Sequence, residues 1–388
     1  MEKEVVDYQK IIRSKYRKLL RLAEKRGGDK EDLSLIRKAY KVSADAHKGV
    51  FRKSGEPYIT HPLEVALIVS EEIGLGPKSI AAALLHDVVE DSEYTNDQIS
   101  HMFGESIAYI VSGLTKIQGI FDNQSSSMQV ENFRKLLLSI SDDVRVILIK
   151  MADRLHNMRT LEDVHYAKQL KTASETLYIF APLAHRMGLY YIKSEFEDLG
   201  LKYTEQDVYK EIAEKLDDFE QNDSDYLKRF SSDIYSLLSS EAFDFSIKTR
   251  TKGIFSIRRK MINQGISFEE VYDKYALRIL LDAGPKREKG EIWRAYSIIT
   301  SVFKANPRRL RDWITSPKAN GYESLHITVM GPEGHWIEIQ IRSNRMDLEA
   351  ERGYAAHWRY KEDDSGNTAL DEWLSTIREN IENQEGNA

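Results

Sequence analysis

Near residue 240 the hydrophobic period of the chain changes, and that change fixes the class of fold. Before it, apolar residues recur at helical spacing, as at Ile107, Ile110, Val111 and Leu114, with breaks at Gly55-Glu56-Pro57 and Gly74-Leu75-Gly76-Pro77. After it come strand-like runs: Ala276–Leu281, His326–Val329 and Trp336–Arg342. In the last, Ile337, Ile339 and Ile341 share one face and Glu338, Gln340 and Arg342 the other. The expectation is an α + α/β multidomain chain, and 388 residues suit two cores. The pattern places an all-α domain at 1–200, a charge-rich helical connector at 201–240, a mixed α/β domain at 241–365 and a polar C-terminal tail at 366–388. Residues 121–130 read as a polar loop, and no internal repeat is apparent.

Composition narrows the function classes. A net charge of −6 leaves no global basic footprint for duplex nucleic acid, so anion binding has to come from local basic clusters. Cysteine is absent, which excludes thiolate metal sites and disulfides and fits a reducing, cytoplasmic setting. No run is long and apolar enough to span a membrane, and Met1-Glu2-Lys3-Glu4 does not begin a signal peptide.

In the first half, Ala82-Ala83-Leu84-Leu85 runs straight into His86-Asp87-Val88-Val89-Glu90-Asp91. On one continuous helix, His86 with Glu90 and Asp87 with Asp91 would share a broad face. Two further segments offer ligands. One is Tyr58-Ile59-Thr60-His61-Pro62, with Pro62 suited to the first helical position. The other is Asp153 to Thr160, where Asp153, Asn157 and Thr160 make a polar stripe. Each has a structural explanation when taken singly: His61 as a turn residue, Asp153-Arg154 as a surface ion pair. Together, two histidines and two aspartates without a thiol suit Mn2+ or Fe2+ at least as well as Zn2+, and spare carboxylates one turn on suit metal-assisted hydrolysis. His156 lies near enough to the stripe for outer-sphere hydrogen bonding. His47, His101, His165 and His185 read as structural or surface residues.

In the second half, Arg250 and Lys252 precede Gly253, and a helix is expected from about Ser256 with Lys260 one turn in. Glycine permits close approach and a helix N-terminus favours anions, which suits a polyphosphate, although the order is not that of a Walker loop. Asp273 lies just before one strand and Glu338 projects from another. Two such carboxylates could hold Mg2+ for phosphoryl transfer. The competing explanation is that Glu338, Gln340 and Arg342 form the wet side of an edge strand.

The order His61…His86-Asp87…Asp153 resembles the HD phosphohydrolase superfamily. The longer strings Phe51 to Pro62, Leu85 to Asp91 and Ala152 to Thr160 resemble the hydrolase domain of the RelA/SpoT homologue family. Asp273 to Arg278, Ser316 to His326 and Glu338 to Arg342 resemble its nucleotidyltransferase-like synthetase domain. The resemblance implies a bifunctional enzyme of the alarmone (p)ppGpp. On the hydrolase side it implies one Mn2+ on His61, His86, Asp87 and Asp153, water activation by Glu90 and Asp91, and nucleotide contacts from Arg52, Lys53, Ser54, Asn157 and Thr160. On the synthetase side it implies Mg2+ on Asp273 and Glu338, with Glu338 also helping to deprotonate the 3′-hydroxyl. ATP phosphates would meet Arg250, Lys252, Ser256, Lys260 and Arg278. Tyr322 would stack on the guanine of GDP or GTP, with Lys318, Asn320, His326 and Gln340 nearby. Arg309-Leu310-Arg311-Asp312 matches the basic Arg-x-Lys-Asp stretch of bifunctional members except for arginine in place of lysine, and implies a preference for GDP over GTP.

Opposed activities imply reciprocal control, for which helices around 165–235 are the expected two-state element. The resemblance also implies ribosome contacts only through a C-terminal region beyond this chain, which stops soon after His357-Trp358-Arg359-Tyr360 and reads as a catalytic fragment or a short member. Two alternatives are a hydrolase-dominant member with a weak synthetase site, and a nucleotide sensor without turnover.

Overall fold

The structure, a computed structural model, describes residues 7–25, 28–122, 143–271, 274–318, 322–334 and 336–352. The loop expected at 121–130, apart from its first two residues, and the polar tail therefore lie outside the described residues. Two compact units divide between Gln169 and Leu170, inside the helix Tyr166–Glu175. The connector expected at 201–240, and the helices before it from 170 onward, belong with the second unit, because they pack on its sheet and helices and not as a free link.

The first unit is helical: α1 (Tyr8–Lys25), α2 (Lys30–Ala46), α3 (Thr60–Leu67), α4 (Pro77–Leu85), α5 (Val88–Asp91), α6 (Asn96–Phe103), α7 (Glu105–Asp122) and α8 (Val144–Arg159). Helix α4 is its centre. Ser79 through Leu85 are all buried, so the helix is covered on every side, with α2, α3, α7 and α8 packed on it. Gly76 precedes it and Pro77 opens it, where a missing N–H costs nothing. Helix α3 begins at Thr60, so Pro62 is its third residue and not its first. It runs on as a π-helix over Ile68–Ile73, ended by Gly74 in the left-handed region. The continuous helix expected through His86 and Asp91 is broken. α4 stops at Leu85, and α5 restarts at Val88 with the Asp87 carbonyl accepting from the N–H groups of Glu90 and Asp91.

The second unit adds α9 (Tyr166–Glu175, which crosses the division), α10 (Ala181–Arg186), α11 (Tyr190–Thr204), α12 (Gln206–Ser239), α13 (Ile254–Gln264), α14 (Glu288–Val302) and α15 (Asn344–Arg352). Its strands are β1 (Phe245–Thr251), β2 (Tyr275–Leu281), β3 (Arg311–Asp312), β4 (Leu325–Met330) and β5 (Trp336–Ser343). They form one mixed sheet in the order β1-β2-β5-β4-β3, parallel only between β2 and β5. Strand β5 is therefore central and not an edge. Its isoleucines Ile337, Ile339 and Ile341 join Leu277, Ile279, Leu325 and Ile327 in one core, which α12 closes with Tyr226, Phe230, Ile234 and Leu238 at four-residue spacing. α14 adds Ile292, Ala295 and Ile299. The other face of the sheet is polar, and register aligns its rows: Arg278 with Gln340 and His326, and Glu338 with Thr328.

Helix α11 approaches the π-helix Thr176–Phe180 closely. A Cβ at Gly200 would stand 2.4 Å from Leu177 Cγ. Gly200→Ala should therefore cost about 1–3 kcal/mol, read as a lower midpoint in urea unfolding of the full chain.

Candidate metal centre and candidate nucleotide cleft

The break at Asp87 brings His86 and Asp87 to one point. Adjacent residues within a helix diverge, whereas here His86 Nε2 and Asp87 Oδ2 are 3.0 Å apart. His61, the second residue of the short α3, brings its Nε2 to 3.2 Å from Asp153 Oδ1 and 3.6 Å from Asp87 Oδ2. Ligand atoms of His61, His86 and Asp153 all lie within 4.8 Å of one another. The four residues expected to share an ion do converge.

Their hydrogen bonds fix which atoms face inward. His86 Nδ1 lies 2.8 Å from the Ala83 carbonyl and must donate to it, so its lone pair is on Nε2, a buried atom without a hydrogen-bond partner. Arg52 Nη1 can only donate, so His156 Nδ1 at 3.0 Å accepts. His61 Nδ1, 2.7 Å from that same nitrogen, must then be protonated, which again leaves the lone pair on Nε2. Burial drives the pKa of His156 down to about 2, with the His61 and Arg52 charges adding to it, and so keeps it a neutral acceptor. Asp153 accepts from Lys150 Nζ and from Asn157 Nδ2, each at 2.7 Å, and Asp87 accepts from the Tyr58 hydroxyl at 2.8 Å. Two imidazole lone pairs and two carboxylates thus converge in a buried pocket, a donor set that fits a divalent cation.

Without a cation the pocket takes up a proton. Burial works against a charged His86, but the Asp87 carboxylate overrides it and pushes its pKa up to about 9. Partial desolvation also raises the carboxyl of Glu90, which stays open to solvent, with the Asp87 charge adding to it. Of the expected nucleotide contacts, Arg52 Nη2 donates to Asn157 Oδ1 at 3.3 Å and Thr160 Oγ1 at 3.0 Å. Lys53 and Ser54 are exposed on the turn between Arg52 and Glu56, where Gly55 has φ +85°. Three neighbours carried no sequence signal: Lys150 beside Asp153, Tyr58 on Asp87, and His47, whose ring stacks on Tyr58 at 4.7 Å. His47, expected as a structural or surface residue, is buried against Tyr58 beside this pocket.

On the polar face of the sheet, Glu338 Oε1 accepts from Gln340 Nε2 at 2.8 Å and lies 3.3 Å from His326 Nδ1. A cavity of about 300 Å3 opens over it, lined also by Lys260, Arg309, Arg311, Trp313 and His326. The wet-edge explanation fails, since Arg342 is 1% exposed and binds Gln340 Oε1 at 2.8 Å and the Tyr322 hydroxyl at 3.0 Å. Tyr322 also meets His326 Nε2 at 2.9 Å, and Lys318 Nζ lies 4.1 Å from the Trp313 ring and 4.9 Å from that of Tyr322. Arg278 is buried and bound to Asp347 at 3.0 Å and Glu351 at 2.7 Å, so its charge is already matched. Arg250 is exposed on β1, and Lys252 and Ser256 flank the start of α13. Asp273 and Asn320 lie outside the described residues.

The anion at the N-terminus of α13 comes from the protein itself. Asp198 Oδ1 on α11 accepts from the Phe255 N–H at 2.8 Å, and burial pushes its carboxyl up to about 6. A Cβ at Gly253 would lie 2.8 Å from Asp198 Oδ2, so this glycine makes room for a carboxylate.

The two centres define the class: a helical unit with an HD-type metal pocket, joined in one chain to a mixed-sheet unit with a cationic cleft. Residues 39–190 match the HD domain, and residues 249–365 match the region found in RelA / SpoT proteins. The chain belongs to the RelA/SpoT homologue family. It is 40% identical over 357 residues to the GTP pyrophosphokinase of Myxococcus xanthus, covering 91% of this chain and 46% of that protein. It is 38% identical over 353 residues to the bifunctional (p)ppGpp synthase/hydrolase SpoT of Escherichia coli K12, covering 90% of this chain and 49% of that one. The chain thus spans about half the length of these curated relatives. A solved structure described as "A metazoan ortholog of SpoT hydrolyzes ppGpp and plays a role in starvation responses" aligns with 28% identity and a TM-score of 0.27, covering 33% of this chain and 70% of that one. Among the described residues, no helix is long and apolar enough to cross a membrane.

Cation binding has to displace the proton on His86. Affinity for a divalent cation should rise with pH up to about 9 and level off above it. Calorimetric titration with Mn2+ near neutral pH, in buffers of different ionisation enthalpy, should show about one proton released per ion bound.

Proposed function

We propose that this chain both degrades and makes (p)ppGpp, the helical unit removing its 3′-pyrophosphate and the mixed-sheet unit transferring the β,γ-pyrophosphate of ATP to the 3′-hydroxyl of GDP or GTP. The observation that carries the proposal is the buried convergence of His61, His86, Asp87 and Asp153 in the same chain as a cationic cleft built around Glu338. Relatives that match about 90% of this chain are named for these activities.

In the hydrolytic reading, the pocket holds one Mn2+, which when bound would lower the pKa of water and offset charge on the pyrophosphate. Glu90 and Asp91, exposed on α5 one turn beyond Asp87, take up and return the proton of the attacking water. The raised carboxyl of Glu90 suits an acid–base role near neutral pH. Arg52, with Asn157 and Thr160 beside it, offers a planar donor to phosphate oxygens, and Lys53 and Ser54 extend that surface.

In the synthetic reading, Glu338 and Asp273 hold Mg2+, and Glu338 accepts the 3′-hydroxyl proton. Arg250, Lys252, Ser256 and Lys260 neutralise the ATP phosphates. Tyr322 is the guanine platform, with Lys318, Asn320, His326 and Gln340 around it. Arg309 and Arg311 line the cavity and support GDP as the preferred acceptor, while Asp312 accepts the N–H groups of Ile314 and Thr315. The charge of Arg278 is matched by Asp347 and Glu351, so ATP would have to compete with these carboxylates for it. Both reactions together would only consume ATP, so reciprocal control is part of the proposal.

Two assays on the purified chain test it. ATP, GDP and Mg2+ should give ppGpp and AMP; ppGpp with Mn2+ should give GDP and pyrophosphate. Asp87→Ala should lower pyrophosphate release by more than the roughly 100-fold that outer-sphere changes cost at metal sites, leaving synthesis intact. Glu338→Ala should do the reverse. A hydrolase-dominant enzyme would be indifferent to Glu338→Ala, and a sensor would bind both nucleotides and turn over neither.

A further inference from the structure

Beside the proposed ligands, one buried imidazole keeps an acceptor aimed at a proposed proton carrier. His47, the C-cap of α2, is 3% exposed. Its Nδ1 lies 2.8 Å from the Ser43 carbonyl and must donate to it, so the neutral ring carries its lone pair on Nε2. That Nε2 is buried and has no hydrogen-bond partner among the described residues. It faces Asp91 Oδ2 at 3.8 Å. The ring cannot turn away. Its plane lies 25° from that of Tyr58 at 4.7 Å, and the Tyr58 hydroxyl is itself tied to Asp87 Oδ2.

A buried acceptor left unsatisfied costs stability, and a lone pair pointed at a carboxylate repels it unless a proton lies between them. The arrangement becomes favourable when Asp91 or His47 carries one. A proton carrier in a hydrolytic centre passes through that state in every turnover.

We propose that His47 is a positioning residue of the hydrolytic centre: its Nε2 shares the proton that Asp91 takes from the attacking water and so holds Asp91 in line for the return of that proton. The role rests on the hydrolase reading above. The balance closes within one turnover. The water oxygen bonds to phosphorus and gives one proton to Asp91, which then hydrogen-bonds through it to His47 Nε2. The bond from that phosphorus to the ribose 3′-oxygen breaks, and the same proton passes from Asp91 to the departing oxygen. His47 ends neutral, with its Nδ1–H still on the Ser43 carbonyl.

Side-chain geometry supplies the test in the full chain. His47→Gln puts a polar atom near the place of Nε2, His47→Asn puts one near Nδ1, and His47→Phe keeps only the ring stacked on Tyr58. For Mn2+-dependent pyrophosphate release from ppGpp, His47→Asn and His47→Phe should lower kcat roughly 10- to 100-fold, with KM and Mn2+ affinity unchanged. His47→Gln should restore most of the loss. In an Asp91→Asn background, His47→Asn should cost nothing further. Equal kcat in the Gln and Asn variants, better activity in the Asn variant, or a loss that multiplies with Asp91→Asn would overturn the role. Failure of the parent chain to release pyrophosphate would overturn the hydrolase reading and His47 with it. Intact parent activity with indifferent His47 variants would overturn His47 alone.

Discussion

A carboxylate taken out of water is costly unless positive charge or hydrogen-bond donors meet it there, and both polar centres of this chain are organised around that demand. Asp153 is buried among Lys150, Asn157 and His61. Glu288, also buried, accepts from Arg345 and Ser343, and Arg345 reaches on to Glu323, next to Tyr322. Asp153 is answered from its own helix by Lys150 and Asn157, whereas Glu288 and Glu323 are answered by Arg345 from a distant segment, which ties those segments in register. In the helical pocket the answer depends on protonation, because neutral His61 and His86 would turn Nε2 lone pairs toward the acids. That need for positive charge is met by a proton on His86 or, in the proposed function, by a divalent cation.

The mixed sheet resolves the same problem by segregation. Alternation on β5 sends Ile337, Ile339 and Ile341 into the core that α12 and α14 complete, and sends Glu338, Gln340 and Arg342 to the opposite face. That second face is not left to solvent. Arg342 ties Gln340 to Tyr322, and Tyr322 in turn meets His326, so the Tyr322 ring and the Glu338 carboxylate belong to one hydrogen-bonded row. Asp198 at the N-terminus of α13 follows the same logic, since the Phe255 N–H in the first turn donates to this carboxylate from the packed helix α11.

How much could be read from the chain varied with the kind of signal. β2, β4 and β5 were legible as apolar runs, β5 almost to the residue through its strict alternation, whereas β1 and β3 were not read, because β1 is mostly polar and exposed and β3 is two residues long. His61, His86, Asp87 and Asp153 were legible because their spacing and residue types leave little else to do together. Lys150, Tyr58 and His47 were not, since a lysine, a tyrosine or a histidine without a nearby partner in sequence looks like any surface residue. The break between α4 and α5 was missed because no glycine or proline marks it. For Gly253 the sequence pattern does not separate two uses, because a glycine before a helix is equally suited to a phosphate or to a neighbouring carboxylate.

By itself the sequence determined the two architectures, the candidate ligand types and the face each β5 residue occupies, because these depend on local period and on side-chain chemistry. Only the tertiary structure decided which lone pairs face inward, which helices belong to which unit, and which charges are already matched, as Arg278 is by Asp347 and Glu351. Those outcomes depend on groups far apart in sequence arriving within hydrogen-bond distance, and no local pattern encodes the orientation of an imidazole or the partner of a buried charge.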